Sequence, residues 1–238
     1  MALGLAALAP AAALAQEAPA EEKQGWSVEG NVDLVSDYVF RGISQSNRDP
    51  ALQAGLTLSH SLGFYAGIWG SNVDFDTPGD GISTEIDYSL GWAGALGGGM
   101  GYDLSVVRYT YPGANSGYDI SYNEFLGKLT FADEKFFLLL GHANDYARSG
   151  EAATYVQAGT DWPLGESGWT LSAAAGHYDL SKVYGKSYQD YLLGLGRSFG
   201  PVDVKLSYVT TSGASEDIAP RKWTRGRLVA QFSIPFKF

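Results

Sequence analysis

The chain has 238 residues, enough for one domain with a large core or one barrel, and it contains no cysteine. Its formal charge of −10, with only 18% charged residues, argues against nucleic-acid binding as the main role. Hydrophobic residues make up 45% of the chain, and mean hydropathy is still near zero at −0.10. Past the N-terminus no apolar run reaches the ~18 residues of a membrane helix, so a membrane crossing would have to use alternating strands.

Residues 1–15, MALGLAALAPAAALA, are apolar and end in the small-residue pattern Ala13-Leu14-Ala15. They read as a signal peptide cleaved after Ala15, with the basic n-region missing, as if the start were placed too late. A short buried helix is the alternative, and Pro10 would break it. Residues 16–24, rich in Glu, Ala and Pro, read as a disordered periplasmic linker.

From Trp26 on, the chain alternates with period 2, the signature of strands with one apolar and one polar face. The first predicted strand sets Trp26, Val28, Val32, Leu34, Tyr38 and Phe40 against Glu29, Asn31, Asp33, Asp37 and Arg41. The second (about 50–60) sets Leu52, Leu56 and Leu58 against Gln53 and Thr57. The third (63–73) sets Phe64 and Ile68 against Tyr65 and Trp69, and the fourth (83–93) sets Ile86, Tyr88, Leu90 and Trp92 against Glu85 and Asp87.

The fifth (100–111) changes apolar parity between Val106 and Val107, and the sixth (118–131) does so near Glu124; both slips predict bulges. The seventh (135–145) is too uniformly apolar for its faces to be assigned. The eighth (153–164) through the eleventh (202–210) alternate again and place Asp161, Asp190, Asp203 and Lys205 on the polar parity. The twelfth, RLVAQFSIPFKF, sets Leu228, Phe232, Ile234, Phe236 and Phe238 against Arg227, Gln231 and Lys237. Its outward Phe236 and Phe238 look like the closing-strand assembly signal of a bacterial outer-membrane barrel.

Connections alternate in length. HSLG, GALGGG, FADEK, LGESG and Gly200-Pro201 are short; RGISQSNRD, DFDTPGDGI, PGANSGYD, YARSGEA, LSKVYGKS and TSGASEDIAPRKWT are longer and polar. Together with Trp and Tyr at strand ends (Trp26, Tyr38, Tyr88, Trp92, Trp162, Trp169, Tyr208), this predicts an all-β fold. Residues 25–238 would form a transmembrane antiparallel up-and-down β-barrel of twelve strands in the outer membrane, with short periplasmic turns and longer extracellular loops. A soluble sandwich or lipocalin-like barrel could also alternate, but has no reason to segregate its loops by length.

The segment Asp37-Tyr38-Val39-Phe40-Arg41-Gly42-Ile43-Ser44-Gln45, followed by Pro50-Ala51-Leu52-Gln53, resembles the TorF porin family of Gram-negative outer membranes. Gly63-Phe64-Tyr65-Ala66-Gly67, Trp69 to Phe75, Glu85-Ile86-Asp87 and Tyr109-Thr110-Tyr111-Pro112-Gly113 extend the resemblance. It implies a single-domain barrel with a pore, and brings no substrate.

On this reading the polar parity lines the lumen: Glu29, Asp33, Asp37, Arg41, Gln53, Glu85, Asp87, Asp103, Asp161, Asp190, Asp203 and Lys205, with Arg225 and Arg227 from the last strand. Charged rings set ion preference, and Asp33/Asp37 with Glu85/Asp87 would form an acidic, cation-preferring wall. Twelve strands lie between barrels filled by side chains (about 8) and open porins (about 16–18), so inward Tyr65, Trp69 and Tyr155 could close the passage. Partners would be membrane lipid, the outer-membrane assembly machinery and small solutes or ions.

Two other function classes have less support in the sequence. A lipid-modifying enzyme needs a nucleophile, base and acid in reach. Of His60, His142 and His177, only His177 shares a face with an acid, Asp179, and Ser172 does not share that face. A non-conducting binding barrel would use its long loops. No cofactor or metal site is expected: there is no Cys or His cluster, DFDTPGD falls short of an EF-hand, and GALGGG has no following helix to cradle phosphate.

Overall fold

A computed structural model of the chain describes residues 25–214 and 216–238. The predicted signal peptide and linker lie outside these residues. Twelve long strands form a closed antiparallel barrel. They are β1 (Trp26–Val35), β4 (Ala51–His60), β5 (Phe64–Asn72), β6 (Thr84–Gly97), β7 (Met100–Thr110), β8 (Tyr122–Phe131), β9 (Phe136–Ala143), β10 (Ala153–Pro163), β11 (Trp169–Leu180), β12 (Lys186–Phe199), β13 (Val202–Ser212) and β14 (Arg227–Lys237). Between β1 and β4 sits a two-stranded hairpin, β2 (Val39–Phe40) and β3 (Ile43–Ser44). Single-turn helices α1 (Ser181–Tyr184) and α2 (Arg221–Thr224) lie in two of the long loops.

Each barrel strand pairs with its sequence neighbour, the hairpin aside, and β1 closes on β14 with Glu29 opposite Lys237 and Leu34 opposite Phe232. The seam is fastened at its short-turn end by the Lys237–Glu29 ion pair at 2.5 Å. Closure leaves the barrel with no unpaired strand edge among the described residues, the condition for crossing a bilayer with strands.

Alternation decides which side chains point out. Leu52, Ile68, Tyr88, Leu90, Leu104, Phe125, Leu140, Val156, Leu193, Leu206 and Leu228 all stand exposed on the outer wall. No water-soluble surface tolerates so continuous an apolar band. At the short-turn end it is edged by Trp26, Phe64, Trp92, Phe136, Trp162, Trp169 and Phe199, several of them paired ring to ring, as in Phe64–Trp92 and Trp169–Phe199. This is the architecture of an outer-membrane-type barrel.

The structure corrects several sequence expectations. The first strand stops at Val35, so Tyr38 and Phe40 are not lipid-facing; they are 1% and 2% exposed inside the barrel. Neither predicted bulge exists: β7 pairs without interruption through Val106 and Val107, and β8 through Glu124. The register shift in that region lies instead at Ala95/Gly97, beside the glycine turn. The parity slips arise because Tyr109, Tyr111, Ile120 and Tyr122 face the lumen, where aromatic packing replaces polar wall. Arg225 precedes β14 and is exposed at the end of α2, so it does not line the lumen from a strand.

Candidate functional site: the lumen and its plug

The inward faces supply the site, and the chain itself fills half of it. After Val35 the backbone turns into the lumen. Ser36 anchors the turn on β14, its N–H donating to the Ala230 carbonyl at 2.9 Å and its Oγ accepting from the Ala230 N–H at 2.9 Å. Residues 36–50 then form a plug built on the β2–β3 hairpin. Its two-residue turn, Arg41-Gly42, has φ of +44° and +82°, the left-handed geometry that tight hairpins favour.

Asp37 holds the plug together and ties it to the wall. One carboxylate oxygen accepts from Ser44 Oγ (2.6 Å) and Ser46 Oγ (3.3 Å), and the other accepts from Arg227 Nε of β14 (2.5 Å). Both side chains of the Asp37–Arg227 pair are at most 5% exposed.

Arg41 reaches across the lumen from the hairpin tip. Its Nη2 donates to Glu124 Oε2 of β8 at 2.9 Å, in a pair 2% and 0% exposed. The guanidinium lies 4.0 Å from the Tyr155 ring centroid, 4.6 Å from Tyr178 and 4.5 Å from Phe40. Tyr188 of β12 donates its hydroxyl to the Arg41 carbonyl at 3.0 Å. On the other side Tyr38 packs edge-on against Trp69 of β5, and Phe40 against Tyr109 of β7. Residues 37–41 of the plug therefore touch β5, β7, β8, β10, β11, β12 and β14, around the circumference of the long-loop half of the lumen.

Around it stand Tyr109, Tyr122, Tyr146, Tyr155, Tyr178 and Tyr188, each at most 2% exposed and linked by ring contacts, while Tyr111, 3% exposed, packs edge-on against Phe75. Two neighbouring loops cover the plug. Trp223 Nε1 donates to Asn47 Oδ1 (2.9 Å), the Asp74 N–H donates to the Gln45 carbonyl (2.8 Å), and Lys222 pairs with Asp76 (2.5 Å). Two further loops are tied by Arg148 and Asp119, whose carboxyl is held below the usual carboxylate range, first by hydrogen bonding from Ser121 and then by Arg148.

Below the plug the lumen stays polar and partly exposed. A cavity of about 250 Å³ is lined by Asp33, Asp37, Arg41, Gln53, Trp69, Tyr155, Gln157, Asp190, Lys205 and Gln231. Tyr155 donates its hydroxyl to both Asp190 oxygens (3.1 and 3.0 Å). Nearer the short-turn mouth Tyr65 donates to Asp103 (2.7 Å), Ser172 donates to Asp161 (2.5 Å), and Lys128 lies 5.2 Å from the Phe137 centroid. Inward glycines let rings lie flat on the wall. At Gly176 a Cβ would meet Tyr155 Oη at 2.2 Å; Gly91 lies against Tyr65 and Gly159 against Phe137 in the same way. Inward aromatics thus narrow the passage less than their volume implies.

Of the lumen candidates, Asp33, Gln53, Asp103, Asp190, Asp203, Lys205 and Arg227 lie on inward strand positions, as does Glu29 at the seam. Asp161 also lies on the inward parity but is exposed at the short-turn rim. Asp37 and Arg41 reach the lumen from the plug rather than from β1. Glu85 (0% exposed) and Asp87 (6%) face inward in the plugged half, with Tyr111 donating to Glu85 at 3.0 Å. They are packed beside the plug and do not front an open passage. Sequence reasoning missed Glu124, Tyr109, Tyr178 and Tyr188. The signal for Tyr109 and Glu124 was present in the two parity slips.

The histidines are committed elsewhere. His177 Nδ1 pairs with Gln189 (3.1 Å), while Asp179 accepts from the Ser181 N–H and Ser187 Oγ (both 3.0 Å). His142 pairs with Thr154 and Asn144. Among the described residues no group of three or more His, Cys, Asp or Glu could hold a metal ion.

A family model described as "Bacterial protein of unknown function (Gcw_chp)" matches residues 19–232. The chain belongs to this family. No curated protein matches it. Among solved structures the KdgM porin is similar at 6% identity and a TM-score of 0.52, over 89% of this chain and 99% of that one. The NanC porin is similar at 12% identity and a TM-score of 0.53, over 90% and 100% respectively. At such identities the likeness is one of fold.

Proposed function

We propose that this protein is an outer-membrane channel for small solutes or ions, held shut at its long-loop end by residues 36–50. The observation that carries this reading is the inside-out distribution of polarity: an apolar exterior closed around charged inward groups and a polar-lined cavity of about 250 Å³. A structural barrel needs no polar cavity, and of the three histidines only His142 stands beside a hydroxyl, Thr154 at 2.9 Å, with Asn144 rather than a carboxylate on its other nitrogen. The porin folds of KdgM and NanC and the resemblance to the TorF porins point the same way. The lower lumen carries Asp33, Asp103 and Asp190 against Lys128 and Lys205, so cations are the preferred ions. Short turns face the periplasm, membrane lipid covers the apolar band, and the last strand, with Phe236 and Phe238, is what the assembly machinery reads.

The test is the reversal potential of refolded protein in a planar bilayer under a KCl gradient, with voltage used to provoke openings. Openings should favour potassium, and Asp33→Asn with Asp190→Asn should remove most of the preference. Anion-preferring openings, or a preference untouched by those substitutions, would overturn the cation reading.

A further inference from the structure

The contacts of Arg41 resemble those of a ligand more than those of a structural residue. The groups that hold it come mainly from the barrel wall: Glu124 from β8, Tyr155 from β10 and Tyr178 from β11, with Tyr109 of β7 donating to the same Glu124 oxygen at 3.0 Å. Two aromatic faces and a carboxylate are the chemistry that recognises a guanidinium or a substituted ammonium. Tyr155 donates its hydroxyl to Asp190, which draws negative charge onto the ring and strengthens its face as a cation acceptor.

Arg41 uses this cage incompletely. Its Nε and Nη1 hydrogen-bond to no protein group, and neither does Glu124 Oε1. The hairpin tether fixes the guanidinium end-on, through one nitrogen, where a free guanidinium could turn and engage both carboxylate oxygens.

We propose that this wall cage is a binding site for solutes bearing a guanidinium or an alkylammonium group, and that Arg41 is its resident occupant. Such a solute competes with Arg41 and releases the plug. This deepens the channel reading above by naming a substrate class and what unlocks the passage.

The test is chemical rescue. Arg41→Ala, refolded in detergent micelles, should lose heat stability and regain it with methylguanidinium, with no effect of the neutral isostere methylurea. Adding Glu124→Gln should weaken methylguanidinium binding about ten-fold or more, because the charge-assisted bond goes with it. If Arg41→Ala fails to fold alone, methylguanidinium present during refolding should restore its yield, and Arg41→Met provides a variant that keeps the packing volume. Equal rescue by methylurea, no rescue by either, or rescue that survives Glu124→Gln would overturn the cage. Binding in micelles requires no conduction. Rescue in a barrel that never conducts would leave the cage standing and remove the channel.

Discussion

The Asp37–Arg227 pair offers the sharpest handle on the plug. Arg227→Ala leaves the Asp37 carboxylate buried in the docked plug with two serine hydroxyls and no cation. Breaking a buried pair from one side costs about 3–5 kcal/mol, and nearly all of it falls on the docked state, because an undocked Asp37 is solvated. At ~1.4 kcal/mol per factor of ten, the undocked population should rise between about a hundred-fold and a few thousand-fold. The chain has no cysteine, so a single thiol reports cleanly. Ile43→Cys places it inside the plug, where Ile43 is 1% exposed. Maleimide labelling at this thiol should be slow in the otherwise wild-type barrel and faster by the undocking factor in Arg227→Ala. Asp37→Asn with Arg227→Ala leaves no unpaired charge and should label more slowly than Arg227→Ala alone. Unchanged labelling, or strictly additive effects in the double variant, would refute the assignment of this pair to plug docking.

Other consequences follow from the wall. Gly176→Val drives a side chain into Tyr155 Oη and Asp190 Oδ2, 2.2 and 2.4 Å from the Cβ position, and should destabilise the barrel by about 1–3 kcal/mol in denaturant titrations. Leu193→Arg, on the lipid-facing wall, should cost about 2–4 kcal/mol in vesicle-embedded protein, whereas Gln157→Arg on the lumen wall should be nearly neutral. Phe236→Ser with Phe238→Ser should lower the amount of protein assembled in cells while leaving detergent refolding intact, read by fractionation beside heat-modifiability.

The barrel was legible because period-2 alternation and loop length are local properties, and each strand reports its own lipid face. Twelve strands, their order and the outward aromatics could be counted from residues such as Leu90-Gly91-Trp92 or Leu193-Gly194-Leu195. The plug was not legible because its residues mimic a strand: Tyr38 and Phe40 continue the parity of Val32 and Leu34. The break was there to read. Ser36 occupies an apolar position, Asp37 follows, and Arg41-Gly42 is a hairpin turn. The lumen cage was hidden for a related reason. Tyrosine fits either a membrane interface or a packed lumen, and only three-dimensional closure decides which. A bulge at Val106-Val107 would put Tyr109 and Tyr111 on the outer face; the strand runs through without one, and both face the lumen.

On the channel reading, a solute path runs through this lumen and residues 36–50 shut it. Single-channel recording compares the refolded wild type with a variant whose residues 38–47 are replaced by a short Gly-Ser linker, both verified as heat-modifiable barrels. The wild type should be closed with rare openings, and the variant should show stable, long-lived, cation-preferring steps. A folded variant as silent as the wild type would contradict the claim and leave a closed barrel whose function lies in the cage or the loops.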